Sequence, residues 1–174
     1  PTPIIFIFHL EELKLVLETR ETIELGACVT YSEFEPVIVK YYPVLETYLS
    51  RIAGEQIRNI GTIGGNIANA SPIGDLPPIF IAIGSTLVLR KGKKRRKVKT
   101  ENFFIDYGLQ DIKEMEFLEK IIIPINPKLH IFPFKISKRR DEDISTLSAV
   151  FSFEIDNNSL RNVRLVFGGM AGIT

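Results

Sequence analysis

With 174 residues, 22 Lys+Arg against 21 Asp+Glu and a formal net charge of +1, the chain fits one domain, or two small lobes at most, at about 100–200 residues per domain. Hydrophobic residues at 45% and charged residues at 25% exclude disorder and collagen-like structure, and a chain this long buries roughly 70% of its unfolded surface without a disulfide or a metal. One cysteine, Cys28, rules out an internal disulfide, two histidines leave too few soft ligands for structural zinc or an iron–sulfur cluster, and no run approaches the roughly 20 apolar residues of a membrane span.

In chain order, residues 4–8 read as a short apolar strand and residues 9–18 as a helix with Leu10, Leu13 and Leu17 on one stripe. Residues 22–25 form a strand closed by Gly26, and Cys28 after it is expected to be buried. Ser32 and Glu35 give an S-x-x-E capping box for the next helix, which Pro36 makes imperfect. Pro43 suits the first position of a further helix whose apolar face is Leu45, Tyr48, Leu49 and Ile52, ended by Gly54. Tyr41, Tyr42 and Tyr48 read as core and rim, and residues 56–60 as a strand. A short buried helix is expected over residues 77–83, with Asp75 as its cap.

From residue 85 the pattern turns to β. A hairpin about Gly92 carries the basic run Lys91, Lys93, Lys94, Arg95, Arg96 and Lys97, read as a solvated tip that needs no partner; a nucleic-acid surface is declined on the near-neutral charge and the lack of interleaved aromatics. Strands follow over residues 117–123, 131–136, 147–155 and 160–167, the last two joined at Asp156-Asn-Asn158. Helices first and a meander afterwards define an α+β fold, with helices packed on a mixed, mostly antiparallel sheet. His9 and His130 lie beside apolar residues with no nucleophile motif nearby, so no Ser-His-Asp or Cys-His centre is expected.

The run from Gly61 to Asp75 carries the chemistry. It is poor in bulky side chains, and Gly64-Gly65 is expected to adopt positive φ angles that aim successive N–H groups at an anion. Thr62, Asn66, Asn69 and Ser71 add hydroxyl and amide groups, and Asp75 an acceptor, which suits a phosphate or pyrophosphate plus sugar hydroxyls. The segment is neither a Walker loop nor G-x-G-x-x-G. On the residues alone a nucleotide-type ligand, a flexible structural loop and an interface-forming loop all remain open.

Gln56-Ile-Arg-Asn-Ile-Gly-Thr62-Ile-Gly-Gly-Asn66-Ile-Ala-Asn-Ala-Ser71-Pro-Ile-Gly-Asp75 resembles the FAD-binding signature of the xanthine dehydrogenase flavin domain and of related molybdenum hydroxylase flavoprotein subunits. Ile23-Glu-Leu-Gly-Ala27, Phe103-Phe104, the element from Phe134 to Ser145, and Phe167-Gly-Gly-Met-Ala171 resemble further motifs of that family in the same order, so the likeness spans essentially the whole chain.

The resemblance implies a flavin-binding lobe of the xanthine dehydrogenase/vanillyl-alcohol-oxidase-like type. Thr62, Ile63, Gly64, Gly65 and Asn66 would hold the FAD pyrophosphate, and Asn69 and Asp75 would lie near ribityl or ribose hydroxyls. Leu118 would sit against the flavin or adenine and Lys135 near the polar edge of the ring, with Ile52, beside Ala53, replacing a helix-end aromatic as an apolar wall. The charged element Arg139, Arg140, Asp141, Glu142, Asp143 resembles a mobile loop that tunes the flavin field and access to it.

The resemblance further implies an oxidoreductase in which electrons pass from a molybdopterin centre through [2Fe–2S] clusters to FAD and on to NAD or another acceptor. An iron–sulfur domain and a molybdenum-binding subunit would be the partners, and no side chain of this chain is assigned a catalytic role. A carbon monoxide dehydrogenase-like or aldehyde/aromatic hydroxylase subunit, or an assembly module without flavin, are the alternatives. Residues 1–174 are expected to be the second lobe of the flavin domain within a longer, cytoplasmic chain. The N-terminal flavin motif and the C-terminal flavoprotein domain after Met170 would lie outside it, leaving half a flavin site of reduced affinity.

Overall fold

The computed structural model describes residues 4–174. Strands β1 (Val16–Glu18), β2 (Thr22–Gly26), β3 (Thr86–Lys91), β4 (Lys94–Lys99) and β7 (Phe117–Pro124) make a five-stranded sheet in the order β1-β2-β7-β3-β4. Strands β8 (His130–Ile136), β9 (Leu147–Asp156) and β10 (Ser159–Gly168) make a second sheet with β9 in the centre, and β5 (Phe104–Asp106) pairs with β6 (Leu109–Gln110). Every pairing among these strands is antiparallel. The helices are α1 (Tyr31–Tyr41), α2 (Glu46–Leu49), α3 (Glu55–Arg58), α4 (Ile63–Ala68) and α5 (Leu76–Ile83), so the fold is α+β as expected. None of them is long and apolar enough to cross a membrane.

Period-two alternation puts Ile23, Leu25, Leu87, Leu89, Ile121 and Ile123 on one face of the larger sheet, all fully buried with Phe34, Ile67 and Phe80 in the core. Helix α5 is apolar on every side and buried along its whole length, because it packs between the two sheets, on β9 and β10 and on β7. Its last carbonyls are satisfied from the second sheet: Ser152 Oγ donates to Ala82 O at 2.7 Å and Arg164 donates to Ile81 O at 3.1 Å.

The second sheet turns an aromatic face outward. Phe132 stacks on Phe153 at 5.6 Å, and Phe134 and Phe167 both pack on Phe151, while Leu165 is 64% exposed. Its hairpin turns at Asn157 (φ 46°) and Asn158 (φ 63°), the pair of positive angles a two-residue turn needs.

Four local expectations are corrected. Residues 4–8 form no strand; Ile4 and Ile5 are 92% and 83% exposed, since β1 already occupies the sheet edge. The helix expected over residues 9–18 is a single 3₁₀ turn (Glu11–Leu13) followed by β1. There Thr19 Oγ1 accepts from the Glu21 and Thr22 amides, and the tight turn folds Val16–Glu18 back onto β2. Residues 56–60 are not a strand but lie in and after α3, whose Arg58 donates to Leu49 O and Ile52 O and pairs with Glu35.

The capping box of α1 is Thr30 with Glu33, not Ser32 with Glu35. An antiparallel bridge to Thr62 holds Thr30 extended as an N-cap must be, and Ser32 donates to Asn59 Oδ1 instead. Thr30→Ala is expected to cost about 1–2 kcal/mol, as N-cap losses do; a urea unfolding midpoint equal to the wild type's would show that the bridge alone fixes the helix start.

Candidate functional site

The glycine-rich run lies where the α layer meets the larger sheet. Thr62 caps α4, accepting from the Gly65 amide at 3.0 Å, while Ile63 N donates to Val29 O and Gly64 N to Ala27 O, both at 3.0 Å. Gly64 and Gly65 are therefore helical, not at positive φ, and their amides are already spent inside the fold. This corrects the expectation of an amide nest aimed at an anion.

The two glycines serve different ends. A Cβ at Gly64 would stand 2.5 Å from the Ala27 Cβ and 2.7 Å from its Cα, so glycine here lets α4 lie directly on the segment after β2. A Cβ at Gly65 would meet only Thr62 Oγ1, at 2.8 Å, and otherwise points into open space.

Helix α4 forms a wall of two clefts. The first, of 460 Å³, takes Thr62, Gly64, Gly65 and Ala68 from α4, with Leu118, Phe117, Ile112, Cys28 and residues 5–8 opposite. It is chiefly apolar. Burial pushes the Cys28 thiol up, so it stands there as a thiol and not as a thiolate. Glu116 at the rim is held down to about 2 by hydrogen bonds from Arg96, so its carboxylate stays ionised.

The second cleft, of 440 Å³, is more polar and gathers Ile52, Ala53, Asn66, Asn69, Ser71 and Asp75, with Glu142–Ile144 across from them. Among the described residues the buried Asn66 Oδ1 finds no hydrogen-bond partner. The Arg139 backbone amide and then its side chain lower the Asp143 carboxyl.

The proposed ligand set thus divides. Thr62, Gly64, Gly65 and Leu118 face the first cleft, whereas Ile52, Ala53, Asn66, Asn69 and Asp75 face the second. Ile63 is wholly buried in the core and reaches neither.

Lys135 has no exposed side-chain surface; its ammonium donates to Asp75 Oδ2 at 2.8 Å, Asp75 Oδ1 at 3.0 Å and Ser145 Oγ at 2.7 Å. Ser145 Oγ in turn donates to Asp75, and Tyr48 OH donates to the Asp75 carbonyl at 3.0 Å while sharing a 2.5 Å bond with Ser148. Asp75 therefore heads α5 without capping it by a side-chain bond.

Burial, then the Asp75 charge, raises the Tyr48 phenol far above its usual range and the Tyr31 phenol to about 12, so both keep their protons, and Tyr48 serves as a neutral donor to Asp75. Sequence reasoning missed this network: Tyr48 sat in an apolar stripe, and nothing in the spacing brings Ser145 and Ser148 to Asp75. It also missed the apolar lining from Ile112 and Phe117, which arrives from a distant strand and the loop before it.

The basic hairpin is likewise more than a solvated tip. Arg90 and Arg95 both bond the Glu119 carboxylate, and Arg96 pairs with Asp111 and Glu116 beside the first cleft. The hydrogen bonds from Arg95, then Arg90, hold the Glu119 carboxyl below its ordinary value against the opposing effect of burial.

With this geometry in hand, comparison with known proteins places the chain. Carbon monoxide dehydrogenase from Hydrogenophaga pseudoflava, in a form lacking the Mo-pyranopterin moiety of its molybdenum cofactor, has the same fold at a TM-score of 0.85 and 25% identity, over 94% of this chain and 57% of that one. The two chains thus share one α+β fold. Residues 1–126 match the FAD binding domain in molybdopterin dehydrogenase, and the chain belongs to that family.

Residues 132–174 match the carbon monoxide dehydrogenase flavoprotein C-terminal domain. Sequence reading places the start of that unit after Met170; the match begins earlier, within β8. Xanthine dehydrogenase of Emericella nidulans is 31% identical over 98% of this chain, and xanthine dehydrogenase/oxidase of Gallus gallus 35% identical over 94%. The chain spans only 14% and 13% of their respective lengths.

Proposed function

We propose that the chain binds FAD along α4, as the flavin-binding part of a molybdenum hydroxylase of the xanthine dehydrogenase type. The observation that carries this reading is the buried, unpartnered Asn66 Oδ1 on the same short helix as Gly65, whose missing side chain leaves the adjoining cleft open. An acceptor without a donor, beside Asn69 and Ser71, fits the hydroxyls of a ribityl or ribose chain, and the wall of Leu118, Ile112 and Phe117 fits an aromatic ring system.

The Thr62 hydroxyl, which accepts from Gly65 N, keeps its own proton to donate to a phosphate oxygen. Lys135 and Asp75 hold each other, so their part is to fix the floor of the second cleft and its field. When bound, FAD would supply the redox chemistry, with [2Fe–2S] clusters and a molybdopterin centre elsewhere in the parent enzyme as its electron source and NAD or another acceptor as the outlet. A carbon monoxide dehydrogenase-like parent is the second reading, favoured by the match of residues 132–174.

Titration by flavin fluorescence tests the assignment. Gly65→Val is expected to weaken FAD binding by at least about tenfold with little change in melting temperature, since its new side chain enters the first cleft. Equal affinity in variant and wild type would remove α4 from the site, and no binding by a folded wild-type chain would turn the reading toward the assembly module.

A further inference from the structure

Arg96 occupies an unusual place for a charge. In the β3–β4 register it stands opposite Leu89, which is wholly buried, so its side chain leaves β4 on the core face of the larger sheet, unlike Arg95 and Lys97 on either side of it. A guanidinium on that face is costly unless it is paired. Its partners come from the turn between β6 and β7, residues 111–116.

Every nitrogen of the guanidinium donates. Nε reaches Glu116 Oε1 at 2.9 Å, Nη2 reaches Glu116 Oε2 at 2.8 Å and the Asp111 carbonyl, and Nη1 reaches Asp111 Oδ2 at 2.7 Å. One side chain thus grips the first and the last residue of the turn. The Glu116 carboxylate also accepts from the Lys113 amide at 2.9 Å, and Lys91 donates to Glu114 O at 3.0 Å. Between them Met115 is held at φ 64°, a left-handed angle that such a residue keeps only where surrounding bonds impose it.

The gripped turn carries Ile112 and runs directly into Phe117, the apolar wall that faces α4 across the first cleft. Just before the turn, the Gln110 side-chain amide donates to Ala68 O on α4 itself. The wall is therefore tied to α4 at one end and to the basic hairpin across its span. The hairpin tie is the one made of charges.

We propose that Arg96 is a positioning residue: by gripping both ends of the 111–116 turn it sets the distance of Ile112 and Phe117 from α4, and with it the fit of a flat aromatic ring system in the first cleft. That the ring belongs to FAD rests on the function proposed above; the placing of the wall does not.

Cys28, the single cysteine of the chain, lines the same cleft, so its rate of reaction with Ellman's reagent reads the position of the wall. R96A is expected to speed this labelling about tenfold, since charge-assisted bonds no longer oppose local opening. R96K, whose ammonium cannot reproduce the fork, is expected to fall between the two, and it carries the test if R96A does not fold. K97A removes the same charge from the other face of β4 and should label at the wild-type rate.

Rates taken across pH tell an opened cleft, which lifts the whole profile, from an altered thiol pKa, which only displaces it. Labelling of R96A and R96K at the wild-type rate, or a profile merely displaced, overturns the proposal. So does an equal speeding of hydrogen exchange at the buried α5 amides, which would show loss of the whole fold and not of one wall.

FAD titration of the same proteins reads the fit. An affinity lowered about tenfold in R96A and partly restored in R96K supports it, whereas faster labelling with unchanged FAD affinity overturns it. A wild-type chain that binds no FAD refutes the flavin reading, while the labelling rates still decide what places the wall.

Discussion

Gly64→Ala is expected to destabilise the chain by roughly 3 kcal/mol, which lowers the melting temperature by about 6–12 °C for a protein of this size. The added methyl would lie 2.5 Å from the Ala27 Cβ and 2.7 Å from its Cα, and it meets backbone, which cannot rotate aside as a side chain would. Relief requires α4 to lift from residues 27–29, which breaks the Ile63 N–Val29 O and Gly64 N–Ala27 O bonds and disturbs the Thr30–Thr62 bridge. Gly65→Ala, one residue on, is expected to stay within about 1 kcal/mol of the wild type, with the better helix propensity of alanine set against a shift of the Thr62 side chain. Scanning calorimetry separates them, and coincident curves for wild type and Gly64→Ala would show that the 27–29 segment yields.

Lys135→Met is expected to cost about 3 kcal/mol, because it leaves the Asp75 carboxylate, mostly buried at the edge of the second cleft, without its cation. Among the described residues Lys135 is the only cation bonded to that carboxylate, and the remaining donors, Ser145 and Tyr48, are neutral. The double variant Asp75→Asn with Lys135→Met should recover much of the loss, since no unpaired charge then remains. Urea unfolding of the two single variants and the double one gives the coupling directly. A double variant no more stable than Lys135→Met would mean that the pair acts through packing and not through charge.

Much of the fold was legible because it rests on local codes. The alternation in β7 to β10, Pro43 at the start of a turn and the Asn157-Asn158 hairpin each carry their geometry in two to eight residues. The failures share a cause: the deciding partner lies far along the chain. Thr30 wins the cap from Ser32 through its bridge to Thr62, and α3 forms where a strand was expected because Arg58 finds carbonyls on the preceding helix and a carboxylate on α1. At the site, the importance of glycines 64 and 65 was readable, but not that one serves packing and the other an opening. That distinction depends on where Ala27 comes to rest.

The aromatic face of the second sheet has a consequence for the chain as a colloid. Phe132, Phe134 and Leu165 stand exposed on one face of this sheet, where large apolar side chains are open to contact. A net charge of +1 supplies almost no long-range repulsion to keep two such faces apart. Encounters in concentrated solution are therefore ruled by short-range attraction between phenylalanine rings, which added salt scarcely screens and which weakens on cooling.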